Sequence, residues 1–422
     1  MKKSPWNIDT ELGLWWYTTD TPGTGGTLRT SPDDFLVEEI GDHPLKSGPY
    51  LVCKLTKTNW DQHRAVKALA SGLGMSHQRI GFAGTKDKRA VTTQYISLYK
   101  VAPEDIERLS IPGISMTPLG YVQHPINLGD LTENRFQIRI RNITDKTIFS
   151  DFVTFHEKIK DGIINYVGYQ RFGVTRPVTH LIGLEILKGN FREAVKVMIG
   201  KPGTKMQEFE MEARACYLET EDAAAALHLM PTRLSLERSI LHHLVQKPDD
   251  YLGAIQSLPR TLRSMYVSAV QSWIFNISLS MRIEEGRSLI EPETGDRLIW
   301  PDGRTDQATQ QTVRAARVQV KRGTCSIGLL LPGGKLVPSS GSDDKNIMNI
   351  LEENMITTDM FEKVSSVLNT TFAGSFRSVI VKPDVCHKVI DDDLMVEFSL
   401  PPGHYATSVL REYMKADPIN MV

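Results

Sequence analysis

The sequence predicts an α+β protein in two parts: a sheet-rich domain built from both ends of the chain and a mostly helical domain inserted between them. Three observations carry this. Apolar and polar residues alternate with period two early in the chain, helical spacing takes over in the middle, and alternation returns near the end. A chain of 422 residues is also too long for one core of typical size. The expected limits are 1–174 and 370–422 for the sheet-rich domain and 175–369 for the insertion.

Taken in order, YLVCKLTK puts Leu51, Cys53 and Leu55 on one face and Val52, Lys54 and Thr56 on the other, a half-buried strand. HRAVKALASGLG follows, a helix with Val66, Leu69 and Leu73 in step and Gly72 and Gly74 at its end. The Gly-rich stretch GFAGTKDK then leads into AVTTQYISLY, whose β-branched and aromatic content predicts a strand. Asp87 is thereby expected on a loop between a helix and a strand. In NRFQIRIRN, Phe136, Ile138 and Ile140 alternate with Arg135, Gln137, Arg139 and Arg141. That is an antiparallel strand wet on one side, with its arginines as a candidate phosphate surface or simply a solvated face. Further on, SLERSILHHLVQ places Leu236, Ile240 and Leu244 in step. RSMYVSAVQSWIFNISLSMRI does the same for Val267, Val270, Ile274, Ile277 and Met281. Residues 284–345, rich in Gly, Pro and Asp, suggest loops and short strands. SFRSVIVKP and LMVEFSLPPG read as strands and HYATSVLREYMK as a closing helix.

Composition excludes several classes. The formal net charge is −1, so any nucleic-acid surface must be local. Cys53, Cys216, Cys325 and Cys386 lie far apart with no CxxC pair, which fits reduced thiols and disfavours a zinc ribbon. No signal-peptide run opens the chain, and no apolar stretch approaches the ~20 residues needed to span a bilayer. A cytoplasmic protein is expected, in which the sequons at Asn142 and Asn369 carry no sugar. GFAGTKDK and LPGGKLVP both lack the phosphate-loop pattern, no G-x-G-x-x-G follows a strand, and HExxH and G-x-S-x-G are missing. An enzyme built on this sequence works with side chains alone.

The run GFAGTKDKRAVTTQ sets Asp87 among Lys86, Lys88 and Arg89, just after two glycines. This run resembles the signature of the TruD family of pseudouridine synthases. RTSPDDFLVEEI, NRF, NYVGYQRFG and EFSLPPGHYATSVLRE match in the family's order, and the helical middle is similar to its insertion (TRUD) domain. The resemblance implies a mixed, largely antiparallel sheet and isomerisation of uridine to pseudouridine, principally at uridine 13 of tRNA. It implies no cofactor and no metal, with tRNA as partner. A monomer with no obligate protein partner is expected.

By the same resemblance Asp87 is the catalytic aspartate. Its cationic neighbours, Lys86 among them, offset the cost of a shielded carboxylate and draw in the RNA backbone. The glycines permit close backbone approach. Arg29 stands where the family often has lysine and would pair with Asp87. Phe35 resembles a pocket aromatic, or a core strand residue. Asn134 would bond near the aspartate, Phe136 would pack on the base, and Phe398 would form the opposing wall. NYVGYQRFG departs from the family at Val167, where a phenylalanine is common. Two other readings compete. One is a noncatalytic RNA-binding protein that keeps the fold, against which the intact Asp87 and NRF speak. The other is a carboxylate-pair glycosidase, for which Glu38 and Glu39 are nominal candidates.

Overall fold

Alternation early and late in the sequence builds one eight-stranded sheet in the computed structural model, which describes residues 1–147, 152–204, 206–339 and 341–421. Its strands are β1 (Phe35–Ile40), β2 (Tyr50–Thr58), β3 (Ile80–Phe82), β4 (Val91–Tyr99), β5 (Ile114–Val122), β6 (Glu133–Ile140), β7 (Val385–Ile390) and β8 (Asp393–Leu400). The order across the sheet is β7-β8-β6-β1-β4-β2-β5, with β3 pairing beside β4. β1 runs parallel to β4 and the other pairings are antiparallel.

Register sorts the side chains. Cross-strand partners share a face, so Lys57 opposite Thr92, Leu55 opposite Gln94, Val37 opposite Thr92 and Phe136, Glu39 opposite Asn134, and Phe398 opposite Phe136 all lie on one face. Part of that face is covered by helix α1 (Gln62–Gly72). Asp61 caps it by accepting a hydrogen bond from the Arg64 N–H at 3.1 Å, and Gly74 ends it with φ +59°. α1 buries Val66, Leu69 and Ala70 against Leu51, Cys53 and Leu55. Each fully buried Leu or Val there contributes roughly 1.5–3 kcal/mol. The rest of the face, around Lys57, Thr92, Gln94, Glu39 and Asn134, carries polar groups instead.

Two compact units emerge: residues Thr21–Lys160 with Lys382–Val422, which hold this sheet, and Met1–Asp20 with Asp161–Val381, which are mainly helical. These limits differ from the expected 174/175 and 369/370, and the extra limit at 20/21 was not foreseen. In the helical unit the turn that follows the short helix Asn7–Glu11 packs on the 25-residue helix Arg260–Glu284. Asn276 donates to the Leu12 carbonyl and Ser280 to that of Gly13. A Cβ on Gly13 would fall 2.7 Å from the Ile277 nitrogen. Ile163–Ile164 pairs with Ile380–Val381, and Ser375–Ser378 joins a four-stranded sheet with Ser326–Leu331, Arg297–Ile299 and Thr305–Gln307. SFRSVIVKP is thus extended, but as two short strands in different sheets and not one, and both lie in the other unit.

The apolar seam of Arg260–Glu284 is buried at Val267, Val270 and Ile274, with Ile277 and Met281 at its margin. Leu236 is exposed; Leu241 joins Ile240 and Leu244 in the core. The Gly/Pro/Asp-rich stretch holds a helix, Val313–Lys321, besides its strands. Among the described residues no helix is long and apolar enough to cross a membrane.

Candidate active site

Asp87 lies on the connection Ala83–Ala90 between the antiparallel strands β3 and β4. A strand, not a helix, precedes the loop; three residues are too few to show a period. Of the two glycines in GFAGTKDK, Gly81 is the one that permits close approach. A Cβ there would lie 2.4 Å from the Ile126 carbonyl oxygen and 2.6 Å from the Ser97 hydroxyl. A Cβ on Gly84 would meet nothing nearer than the Lys86 ammonium at 3.4 Å.

Arg29 donates from Nη2 to Asp87 Oδ1 at 2.9 Å, joining two stretches of chain far apart in sequence. The arginine side chain is 6% exposed and the aspartate 36%. Arg29 adopts φ +57°, and the turn that follows is fixed by Asp34, which accepts from the Ser31 N–H at 2.8 Å. The guanidinium then lies over the Phe35 ring, 4.1 Å from its centroid. Burial lowers the Arg29 pKa, and the Asp87 charge opposes that shift. Phe35 meets Phe136 edge to face at 6.4 Å, and Phe136 stacks on Phe398 at 5.4 Å and 26°. A continuous line of contacts therefore runs from the Asp87 carboxylate through Arg29 and three phenylalanines.

Details of that line depart from expectation. Phe136 and Phe398 are register partners on adjacent strands, stacked on each other, so they form one surface and not opposing walls. Phe35 is buried and supports Arg29. Asn134 faces the same side; among the described residues its carboxamide oxygen is buried without a hydrogen-bond partner, and the side-chain bond to the Asp87 carboxylate comes from Arg29 and not from Asn134. Lys86 is turned into the sheet, where its ammonium donates to Glu39 Oε2 at 2.5 Å with both side chains buried. Its charge is spent internally; the exposed cations of the run are Lys88 and Arg89. That pairing also removes Glu39 as a free acid, and Glu38 pairs with Lys54 at 2.8 Å.

Arg135 and Arg139 of β6, and Arg141 just past its end, lie on the opposite face, each beside a carboxylate. Arg139 meets Asp393 at 2.8 Å, Arg141 meets Asp34 at 2.7 Å and Asp393 at 3.3 Å, and Arg135 approaches Glu397 at 3.7 Å. They form ion pairs across the sheet rather than a free phosphate surface.

Sequence reasoning missed Lys57, Thr92 and Gln94. All three are buried on the loop's side of the sheet. Lys57 Nζ donates to the Asp87 carbonyl at 2.9 Å and to that of Trp60 at 2.7 Å. Gln94 reaches the Gly84 carbonyl at 3.5 Å, while its own oxygen and the Thr92 hydroxyl have no partner among the described residues. The signal was present: period two carries Lys57 onto the face of Leu51, Cys53 and Leu55.

The largely antiparallel mixed sheet that carries this loop is the α+β fold of the pseudouridine synthases. A sequence model of "tRNA pseudouridine synthase D (TruD)" matches residues 11–413. The chain is 37% identical to "Probable tRNA pseudouridine synthase D" of Methanosarcina barkeri, covering 98% of this chain and 99% of that one. It is 34% identical to the protein of the same name in Pyrococcus abyssi, covering 94% and 98%. The crystal structure of the Methanosarcina mazei protein carrying the TruD name superposes with a TM-score of 0.79 at 35% identity, over 99% of both chains. The chain belongs to the tRNA pseudouridine synthase D (TruD) family.

Proposed function

We propose that this protein isomerises uridine to pseudouridine in tRNA, at uridine 13, with the Asp87 carboxylate as the reacting group. The observation that carries the reading is the clamp. Arg29 holds Oδ1 at 2.9 Å, and Oδ2 of a partly exposed carboxylate is left without a partner among the described residues. The names borne by the relatives supply the substrate class.

The product is an isomer of the substrate. The bond from N1 to C1′ breaks, a bond from C5 to C1′ forms, C5 loses a proton and N1 gains one. The protein must supply a nucleophile or base, hold the base while it turns, and reach a nucleotide inside folded RNA. Asp87 serves the first need. Arg29, stacked on Phe35, fixes the carboxylate's direction through a single bond, Nη2 to Oδ1, from a guanidinium held over the ring. The stacked Phe136 and Phe398, 7% and 3% exposed, back the clamp as an apolar floor under the place where a base drawn out of its stack would lie.

The test uses unmodified tRNA transcript, chemical mapping of pseudouridine, and a second transcript with cytidine at position 13. The wild type should modify position 13 in the first and nothing in the second. Asp87→Asn should bind the transcript and form no pseudouridine. Modification at another position would overturn the site assignment, and residual turnover in the variant would overturn the role of Asp87.

A further inference from the structure

Lys57 is a lysine with no exposed surface, at the end of β2. Among the described residues its side chain hydrogen-bonds to no carboxylate. Its ammonium donates to the carbonyl oxygens of Trp60 at 2.7 Å and Asp87 at 2.9 Å, with that of Lys86 at 3.5 Å. An ammonium has three N–H groups, which suits three acceptors. A buried cation is unfavourable unless its partners compensate, so lysine here calls for a reason.

The loop supplies one. Residues 84–87 have no regular backbone structure, and the carbonyls of Gly84, Lys86 and Asp87 are approached by side chains, Gln94 and Lys57. Asp87 is thus gripped twice: its carboxylate by Arg29 and its main chain by Lys57. We propose that Lys57 is a positioning residue of the isomerisation, whose charged ammonium holds the Asp87 backbone so that the carboxylate clamped by Arg29 points at the sugar. The proposal rests on Asp87 being the reacting group.

The grip depends on charge. A neutral amine keeps two N–H groups but loses the charge-assisted strength of its bonds to carbonyl oxygens. Burial pushes the Lys57 ammonium down to about 8. The charged groups acting on it are Asp87 and Lys86 from the loop and Asp61 from the corner after β2; its strand neighbours, Thr92 and Ile114, do not titrate. The folded value lies below the ordinary 10.5. Between about 8 and 10.5 the unfolded chain therefore holds the proton and the folded chain does not, and this group's contribution to stability rises with pH. Loss of activity in that window without a fall in melting temperature would come from a loosened loop, not from unfolding.

The experiment measures single-turnover pseudouridine formation from pH 6.5 to 9.5, with melting temperature and tRNA affinity at each pH. The proteins are the wild type, Lys57→Gln, Lys57→Arg and Asp87→Asn. The wild-type rate should fall through pH 8 with no fall in melting temperature. Lys57→Gln should lose roughly 10²-fold in rate at pH 7, with tRNA affinity within about twofold, as a misplaced reacting group does. Lys57→Arg, charged throughout the range, should shift its alkaline fall upward by a unit or more. A wild-type rate flat to pH 9 overturns the proposal whether or not the variants fold. So does a Lys57→Gln protein that melts earlier but turns over at the wild-type rate, since lysine would then serve stability alone. An active Asp87→Asn would sink the reading beneath it, whereas an inactive one with an unaffected Lys57→Gln would sink only this inference.

Discussion

On one side of β6, Arg135, Arg139 and Arg141 lie beside carboxylates brought by β8 and by the turn before β1. On the other side of the same strand, Asn134 leaves a buried oxygen without a partner among the described residues and Phe136 stacks on Phe398. One strand serves both surfaces, and the richer row of charges is on the side away from Asp87. The first side has settled its electrostatics within the protein. The second holds groups whose burial is unfavourable and not fully compensated, an arrangement that suits a surface meant to receive something polar. Charge count along this strand is therefore a poor guide to where chemistry happens; the unpartnered atoms of Asn134, Thr92 and Gln94 lie instead on the side of Asp87.

The largest effect that would sharpen this contrast comes from one substitution made on each face. Asp87→Asn should lower the single-turnover rate by on the order of 10⁴ or more, as loss of a reacting side chain does. Asp393→Asn should leave the rate per folded molecule unchanged and lower only the melting temperature. If both variants lose activity alike, the faces are not distinct. Next comes Arg29. Arg29→Ala removes the clamp and uncovers Phe35, for an expected loss of about 10²-fold in rate; Arg29→Lys keeps the charge and should lose about tenfold. Equal losses would show that charge is the whole of its role. Phe398→Leu keeps the core filled while removing the stacked ring. Equilibrium unfolding should record about 1.5 kcal/mol or less, with a several-fold slower rate at saturating tRNA. A wild-type rate would take the ring pair out of the site. Smallest is Arg139→Ala on the far face, expected to change stability by about 1 kcal/mol or less with unaltered salt dependence of tRNA binding. A flatter salt slope would mean that this arginine meets phosphate after all.

Much of the fold was legible because its signals are local. Alternation in NRFQIRIRN and LMVEFSLPPG marked β6 and β8, and the seam from Val267 to Ile274 marked the long helix. What escaped was of two kinds. β3 is too short to have a period, and Ser375–Ser378 is a strand whose allegiance depends on a partner distant in sequence. At the site, Asp87 and Arg29 stood out only through resemblance, because nothing between them in sequence predicts a 2.9 Å contact. Lys86 illustrates the converse. It sits in a cationic run that looks solvent-facing, yet Glu39, on the apolar side of β1, draws it inward. Reading Glu39 and Lys57 as charged residues at apolar positions of alternating strands would have flagged both.

The sheet is finished late. β6 ends at Ile140, and its neighbour β8 begins only at Asp393, after the main stretch of the helical unit has been synthesised. At roughly 5–20 residues per second, Asp161–Val381 leaves β6 without that neighbour for about 10–45 s. Through that wait Phe136, Ile138 and Ile140 line a strand with a free edge, a hazard for pairing with other nascent chains. Arg135 and Arg139 meanwhile lack Glu397 and Asp393, the carboxylates that later neutralise them. Their positive charges repel a second copy of the same strand, so the row that ends as a set of quiet ion pairs begins as a guard on the growing polypeptide.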